Sequence, residues 1–248
     1  WIFGGRTRWW MLALIHAIAC ISFRADQTIS GVAINFLGPG IALFLGRKLF
    51  DGSTMTKPVP NQIPTLFGSY ATNSSNLLLK TLNVRLTIPI VFILVLIMWF
   101  VLYKTSFGLR IRSVGENPAA ADTLGINVNK VKYLSVFTSG VLSGFGGAAM
   151  TLAVVNCFTQ STISGQGFIA LAAVIFGKWK PQGTMAACLL FGFAQALVVI
   201  LGGSTSAIHI PPSILSMLPY VLTLIILVAF VGNSTAPKAD GIPYYKGQ

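Results

Sequence analysis

Residues 86–103 constrain the fold of this chain more than any other segment. They are almost wholly Ile, Val, Leu, Phe and Trp, with Pro89 near the start. A run of about 20 apolar residues is long enough to cross a bilayer as a helix. In lipid each backbone polar group needs an internal partner, and a helix supplies one within the segment. The sequence therefore predicts a membrane-spanning helix here.

Composition extends this conclusion to the rest of the chain. Apolar residues make up 54% of it and charged residues only 9%, whereas soluble domains carry roughly 25% charged residues. Lipid must therefore cover much of the surface. We expect further spans at residues 9–23, 28–45, 133–155, 183–201 and 213–231, and a shorter apolar segment at 166–176. The predicted fold class is an all-α, polytopic transmembrane helical bundle with short or broken helices, in one domain over residues 1–248.

Some features interrupt the apolar pattern. Gly38, Pro39 and Gly40 stand inside the segment 28–45 and predict a break in that helix, because proline removes a backbone donor. Residues 50–85 are rich in Ser, Thr, Asn and Pro, which predicts a loop outside the bilayer. The chain opens at Trp1 without an initiator Met, so we expect a fragment that lacks its natural N-terminus.

The net charge of +12 reflects topology. Basic residues lie almost wholly between apolar segments, where they orient helices and meet anionic membrane lipid. No basic stripe interleaved with aromatic residues indicates a nucleic-acid partner. The loop at about 104–132 is the densest cluster and is predicted to be cytoplasmic; its basic residues are Lys104, Arg110, Arg112, Lys130 and Lys132.

Enzyme chemistry has little support in the sequence. There is no phosphate-binding loop and no dinucleotide fingerprint, so any ATP must be hydrolysed by another chain. Cys20, Cys157 and Cys188 lack metal-ligand spacing, and His16 and His209 form no catalytic set. We expect no catalytic residues, no metal and no cofactor bound by this chain.

All five acidic residues lie in loops or at the ends of apolar segments. Carriers coupled to protons or sodium usually place ionisable groups at membrane depth. Coupling to an ion gradient is therefore disfavoured. Two transport mechanisms remain compatible with the sequence, a passive channel and a pump driven by a separate protein.

Residues 115–125 are the most distinctive part of the cytoplasmic loop. Gly-Glu-Asn-Pro predicts a turn, and an Ala-rich helix is predicted to begin at Pro118 and to close at Gly125. A short helix held between two spans is a rigid knob that another protein can grip.

At this point a family resemblance becomes specific. Over residues 107–147, 24–31 and 165–172 the chain resembles bacterial ABC importer permeases of the branched-chain amino acid and ribose permease superfamily. Within it, the chain is most similar to permeases that work with basic-membrane-protein-type lipoproteins and import nucleosides. The resemblance runs from about Leu12 onward, and the N-terminal spans usual in the family are missing.

The resemblance implies a mechanism and partners. The loop helix is the coupling helix that docks into a cytoplasmic ABC ATPase subunit. The matching residues are Gly115, Glu116, Asn117, Pro118, Ala119, Ala120, Ala121, Asp122, Thr123, Leu124 and Gly125. The other implied partners are a second, related permease, as a heterodimer, and an extracytoplasmic substrate-binding lipoprotein, all at the bacterial cell membrane.

The substrate path is predicted from polar and aromatic residues near membrane depth, since a neutral solute needs a few hydrogen-bonding groups on an apolar wall. The candidates are Asn35, Phe145, Asn156, Phe158, Gln160, Gln166, Phe168 and Gln195. Neutral amides with aromatic rings suit a nucleoside better than a charged amino acid. The alternatives are a sugar or branched-chain amino acid permease, or a stand-alone channel or carrier.

Overall fold

The computed structural model describes residues 9–50, 52–53, 55–56, 58, 63–66, 83–157, 165–202, 217, 221 and 235–245. Apart from residues 217 and 221, the predicted span 213–231 lies outside these residues, as does most of the predicted outer loop. The chain falls into two compact units, Trp1–Ser164 with Lys238–Gln248, and Gly165–Pro237.

Thr65 and Arg85 form an isolated β-bridge, and most of the described residues lie in helices. In chain order they are α1 (Trp9–Ala17), α2 (Gln27–Leu49), α3 (Thr87–Lys104), α4 (Ser106–Glu116), α5 (Pro118–Thr123), α6 (Val128–Ala149), α7 (Gln166–Phe176) and α8 (Pro181–Gly202). The π-helical turns Ile18–Ser22 and Met150–Val155 continue α1 and α6.

Four of the described helices are long and apolar enough to cross a membrane. They are α2, α3, α6 with its π-helical extension, and α8. Helix α3 has no buried residue, and Ile93, Leu96 and Phe100 are all exposed along it. Such a surface is stable only against lipid or other membrane helices. The predicted all-α polytopic membrane fold is confirmed.

Helix α2 corrects one prediction. The expected break at Gly38, Pro39 and Gly40 is absent, and the helix runs through Pro39 from Gln27 to Leu49. Proline costs a helix one backbone hydrogen bond without forcing it to end, and membrane helices tolerate this loss.

Asp26 caps the N-terminus of α2. Its carboxylate accepts hydrogen bonds from the backbone N–H groups of Thr28 at 2.7 Å and Ile29 at 3.0 Å. The bonds from Ile29 and Thr28 lower the pKa of Asp26, so it stays ionised at neutral pH. A carboxylate at this position satisfies donors that have no partner within the helix.

A tight corner joins α3 to α4. The hydroxyl of Thr105 donates to the Val101 carbonyl at 2.6 Å and accepts from the Gly108 N–H at 3.2 Å. Gly108 itself is pressed against the backbone of α3, where Val101 and Leu102 leave no room for a Cβ atom. The corner thus turns the chain out of a span directly into α4.

The first unit is built around α1 and α6, which pack along each other. Near the end of this contact the hydroxyls of Ser22 and Tyr133 are 2.6 Å apart. In the second unit α7 and α8 form a hairpin. Its turn brings the backbones of Gly177 and Gly183 together so closely that neither position has room for a Cβ atom.

We expect Gly108→Ala to destabilise the first unit by about 3 kcal/mol, because the new methyl group overlaps backbone atoms that cannot move aside. Thermal unfolding of the detergent-solubilised protein measures this as a lower midpoint. The matched control is Gly146→Ala in α6, where nothing lies within 4 Å of the added Cβ. Equal midpoints for both variants would contradict the close packing at Gly108.

Candidate coupling site and substrate path

Helices α4 and α5 and the start of α6 form a compact group around a small apolar cluster. The cluster consists of Val114 from α4, Ala121 from α5 and Val128 from α6, all at most 3% exposed. Ile126, Val131 and Tyr244 pack against it. One face of the short helix α5 is therefore fixed by burial.

Residues at both ends of α5 determine where it begins and stops. Asn117 is the N-cap, and its side-chain oxygen accepts from the Ala120 N–H at 3.0 Å, while Pro118 occupies the first helical position. Gly125 follows the helix with φ +80°, a conformation that favours glycine. The predicted short helix between Pro118 and Gly125 is confirmed. The sequence reading missed α4, which it treated as a basic exit from the membrane.

The opposite face of α5 is open. Leu124, the residue that directly follows α5, is 79% exposed. Its exposed neighbours in the predicted coupling segment are Glu116, Asn117, Ala119, Ala120, Thr123 and Gly125. Ala121, at 1% exposed, points into the apolar cluster. The segment therefore presents a small apolar knob with a polar rim.

Residues 238–245, which we call the C-terminal tail, lie on this same group of helices. The Ala239 N–H donates to the Gly115 carbonyl at 3.0 Å, at the end of α4. The Tyr244 ring packs on the apolar cluster, with the Lys132 ammonium 6.0 Å from its centroid. The Arg24 guanidinium lies 4.5 Å from the centroid of Tyr245. The tail and the predicted cytoplasmic loop thus belong to the same face of the protein.

Tyr244 also lies near the Asp122 carboxylate of α5. Burial of the ring and a hydrogen bond to the Asp122 carboxylate both raise the pKa of Tyr244 above its ordinary value of 10.0. Because this pKa is raised, the stabilisation by the protonated Tyr244 hydroxyl is fully present below about pH 10. It is lost only when the pH rises through the higher pKa of the folded state. At neutral pH the phenol is therefore protonated and can donate to the Asp122 carboxylate.

Two of the predicted substrate-path residues meet in the second unit. The side-chain N–H of Gln195 in α8 donates to the side-chain oxygen of Gln166 at 3.3 Å, at the start of α7. Both residues are half-buried. An amide group has two N–H donors and an oxygen with two lone pairs, so the pair retains capacity for a ligand. This gives the second unit two neutral polar groups on an apolar wall.

Asn156 has a different environment. It adopts φ +61° at the end of the π-helical turn after α6, and its side-chain oxygen accepts from Arg85 at 3.2 Å. Arg85 also donates to the Leu152 carbonyl at 3.3 Å. The contact ties the start of α3 to the end of α6, at the end of the unit opposite α5.

The structure brings no further pair of these candidates together among the residues it describes. Asn35, Phe145 and Phe168 are exposed, Phe168 at 71%. Phe158 and Gln160 lie outside the described residues.

The sequence patterns did not predict one polar cluster within the apolar helices. The Nδ1 atom of His16 in α1 is 2.9 Å from the Ser30 hydroxyl of α2, and the Cys20 sulfur lies 3.7 Å from the same nitrogen. The spacing of His16 and Cys20, four residues apart, was the available sequence signal, because such residues share one helix face.

The described residues thus contain four apolar helices long enough to span a membrane, a short capped helix between two of them and an uncharged polar pair, as expected for a membrane transport subunit. The family model described as the permease component of the branched-chain amino acid transport system matches residues 10–227. The chain belongs to this family. It is thus a permease subunit of an ABC transporter, embedded in the cell membrane, and separate subunits hydrolyse ATP.

Individual relatives refine this comparison. The chain is 49% identical to the guanosine ABC transporter permease protein NupQ of Bacillus subtilis, over 96% of this chain and 75% of that protein. It is 41% identical to the nucleoside ABC transporter permease protein NupC of Lactococcus lactis, with the same coverage. It is 28% identical to NupB of Lactococcus lactis, over 88% of this chain and 59% of that protein. No solved structure matches the chain.

The cap of α5 can be tested without any transport assay. We expect Asn117→Ala to cost about 1 kcal/mol, because the Ala120 N–H loses its acceptor. Amide hydrogen exchange of residues 118–123 should accelerate by about fivefold, the factor that corresponds to this free energy. Asn117→Asp is the matched control, since its carboxylate caps equally well. Unchanged exchange in the alanine variant would show that the cap does not hold α5.

Proposed function

We propose that this chain is the nucleoside-conducting permease of an ABC importer. The observation that carries the proposal is the 49% identity to a guanosine permease protein over 96% of the chain. The nucleoside permease protein NupC supports it over the same share of the chain.

The chemistry of the second unit agrees with a neutral substrate. None of the four described spans contains Asp or Glu, and their Lys and Arg residues stand near the ends. A carboxylate substrate would need a buried cation, whereas a purine base needs amide donors and acceptors on its edge. Gln166 and Gln195 are the groups that we propose for this contact.

ATP hydrolysis reaches the permease through α5. Its buried face is fixed on Val114 and Val128, so a push on the exposed face moves the ends of α4 and α6 together. We propose that Leu124, Ala119 and Ala120 enter a cleft in the ATPase subunit, with Glu116 and Thr123 at the rim. An apolar anchor inside a polar rim is the usual arrangement of an energetic centre in a protein interface.

The proposed assembly contains two related permeases, two ATPase subunits and a substrate-binding lipoprotein on the outer side. Lactococcus lactis has both NupC and NupB, two nucleoside permease proteins that each resemble this chain. This supports a pair of related permeases, and hence a heterodimer.

Uptake of labelled guanosine by cells that carry the complete transporter tests the substrate. We expect unlabelled nucleosides to compete, while ribose and leucine do not. Gln195→Leu should raise the KM for guanosine by about tenfold, since an unpaired polar group in a binding site costs roughly 1–3 kcal/mol.

The control for this experiment is Val199→Ala, an exposed position on the same helix. If ribose or leucine competed and nucleosides did not, the protein would instead be a sugar permease or a branched-chain amino acid permease. An unchanged KM in Gln195→Leu would remove Gln195 from the substrate path.

The coupling surface is tested by Leu124→Asp. A carboxylate in an apolar cleft has no partner, so we expect the ATPase subunits to be lost from the purified complex and uptake to fall at least about tenfold. Ile242→Asp, on the exposed side of the C-terminal tail, is the control for added charge. Retention of the ATPase subunits by the Leu124 variant would place the docking surface elsewhere.

A further inference from the structure

Helix α5 is too short to hold its own position. It has six residues, whereas isolated helices shorter than about 12 residues are marginal in water. Its only buried side chain is Ala121, which contributes little apolar area. If α5 is to transmit force, other parts of the chain must fix it.

The C-terminal tail supplies these attachments. The Ala239 N–H satisfies the Gly115 carbonyl, one of the last carbonyls of α4, which have no partner within the helix. The Tyr244 ring packs on the apolar cluster, which includes Ala121 of α5, and lies near Lys132 in α6. The Asp122 carboxylate of α5 is close enough to the Tyr244 hydroxyl to raise the pKa of Tyr244. Tyr244 is thus in contact with the coupling helix and with the span that follows it.

The second aromatic residue of the tail extends the attachment to another part of the first unit. Tyr245 stacks on Arg24, which lies in the segment between α1 and α2. Arg24 itself has φ +56°, an uncommon conformation for a residue with a side chain. The tail therefore bridges α4, α5, α6 and the α1–α2 connection on one face of the unit.

We propose that Tyr244 is a positioning residue for ATP coupling: it locks the coupling helix to α6, so that displacement of α5 moves the span and is not absorbed by slippage of α5 on its cluster. The inference rests on the proposed function. It adds the tail, a segment outside the coupling loop, to the transmission path. It predicts that, when the contact between Tyr244 and α5 is lost, ATP hydrolysis continues while transport falls.

The experiment uses the complete transporter in proteoliposomes, with guanosine and its binding protein. For Tyr244→Ala we expect the rate of ATP hydrolysis to stay within about twofold and guanosine uptake to fall by about tenfold, the factor that a hydrogen bond to a charged group supports. The ATP hydrolysed per guanosine should rise accordingly. Ile242→Ala, an exposed tail position, is the matched control and should leave this ratio unchanged.

Tyr244→Phe is a milder second variant, which keeps the experiment decisive if Tyr244→Ala fails to fold. It keeps the ring on the cluster and removes only the hydroxyl, so an intermediate rise in the ratio is expected. Asp122→Asn combined with Tyr244→Phe should add little to either change alone, because both remove one contact. An unchanged ratio in both tyrosine variants, or equal losses of hydrolysis and uptake, would overturn the positioning role.

A readout without substrate separates this inference from the proposed function. Amide exchange of residues 118–125 in the assembled transporter should accelerate in Tyr244→Ala and stay constant in Ile242→Ala. If the unmodified transporter takes up no guanosine, the nucleoside assignment fails, while the exchange result still decides whether Tyr244 holds α5. Unchanged exchange would refute the inference even where uptake of guanosine is normal.

Discussion

Internal pairing of backbone polar groups is the requirement on which the rest of this structure depends. Within lipid a helix meets it along its length, but the first N–H groups of each helix need partners from elsewhere. Side chains provide partners at four helix starts: Asp26 before α2, Thr105 before α4, Asn117 before α5 and Asn127 before α6. Helices α3 and α7 begin without such a side-chain bond. The four caps mark where their helices begin.

The compact group of α4, α5 and the start of α6 shows how little apolar contact is needed once the backbone polar groups at the helix ends have hydrogen-bond partners. Three small or medium side chains, Val114, Ala121 and Val128, form its centre. Ile126, Val131 and the Tyr244 ring pack around them, and the hydrogen bond from Ala239 to Gly115 adds a polar contact from a tail that is more than 100 residues away along the chain. A small centre of this kind is easily shifted as a unit, which suits a part that has to move without unfolding.

Local signals in the sequence predicted the structure well where they acted alone. Pro118 at the first helical position and Gly125 after the last fixed α5, and the apolar run 166–176 matched α7. The break at Pro39 was wrong, because the loss of one hydrogen bond does not outweigh the rest of a long helix in lipid. Helix α4 was missed because its basic residues were attributed only to topology, although Thr105 before it is a good cap.

Contacts between distant segments were beyond the reach of sequence patterns. Nothing in residues 238–245 indicates a partner, since Tyr244 acquires one only when the fold brings Asp122 and Lys132 beside it. The pairing of Gln166 with Gln195 likewise depends on the α7–α8 hairpin. The candidates for the substrate path could be named from residue type, but which of them meet is decided by packing.

The length of α7 has a consequence for depth in the membrane. Its 11 residues rise about 16 Å at 1.5 Å per residue, roughly half of the 30 Å hydrocarbon layer. Lys178 and Trp179 directly follow α7, and such residues are enriched at membrane–water interfaces. We therefore expect the beginning of α7, with Gln166 and Gln195, to lie near the midplane. From that depth a small tilt of the surrounding helices would open the proposed site to either side of the membrane.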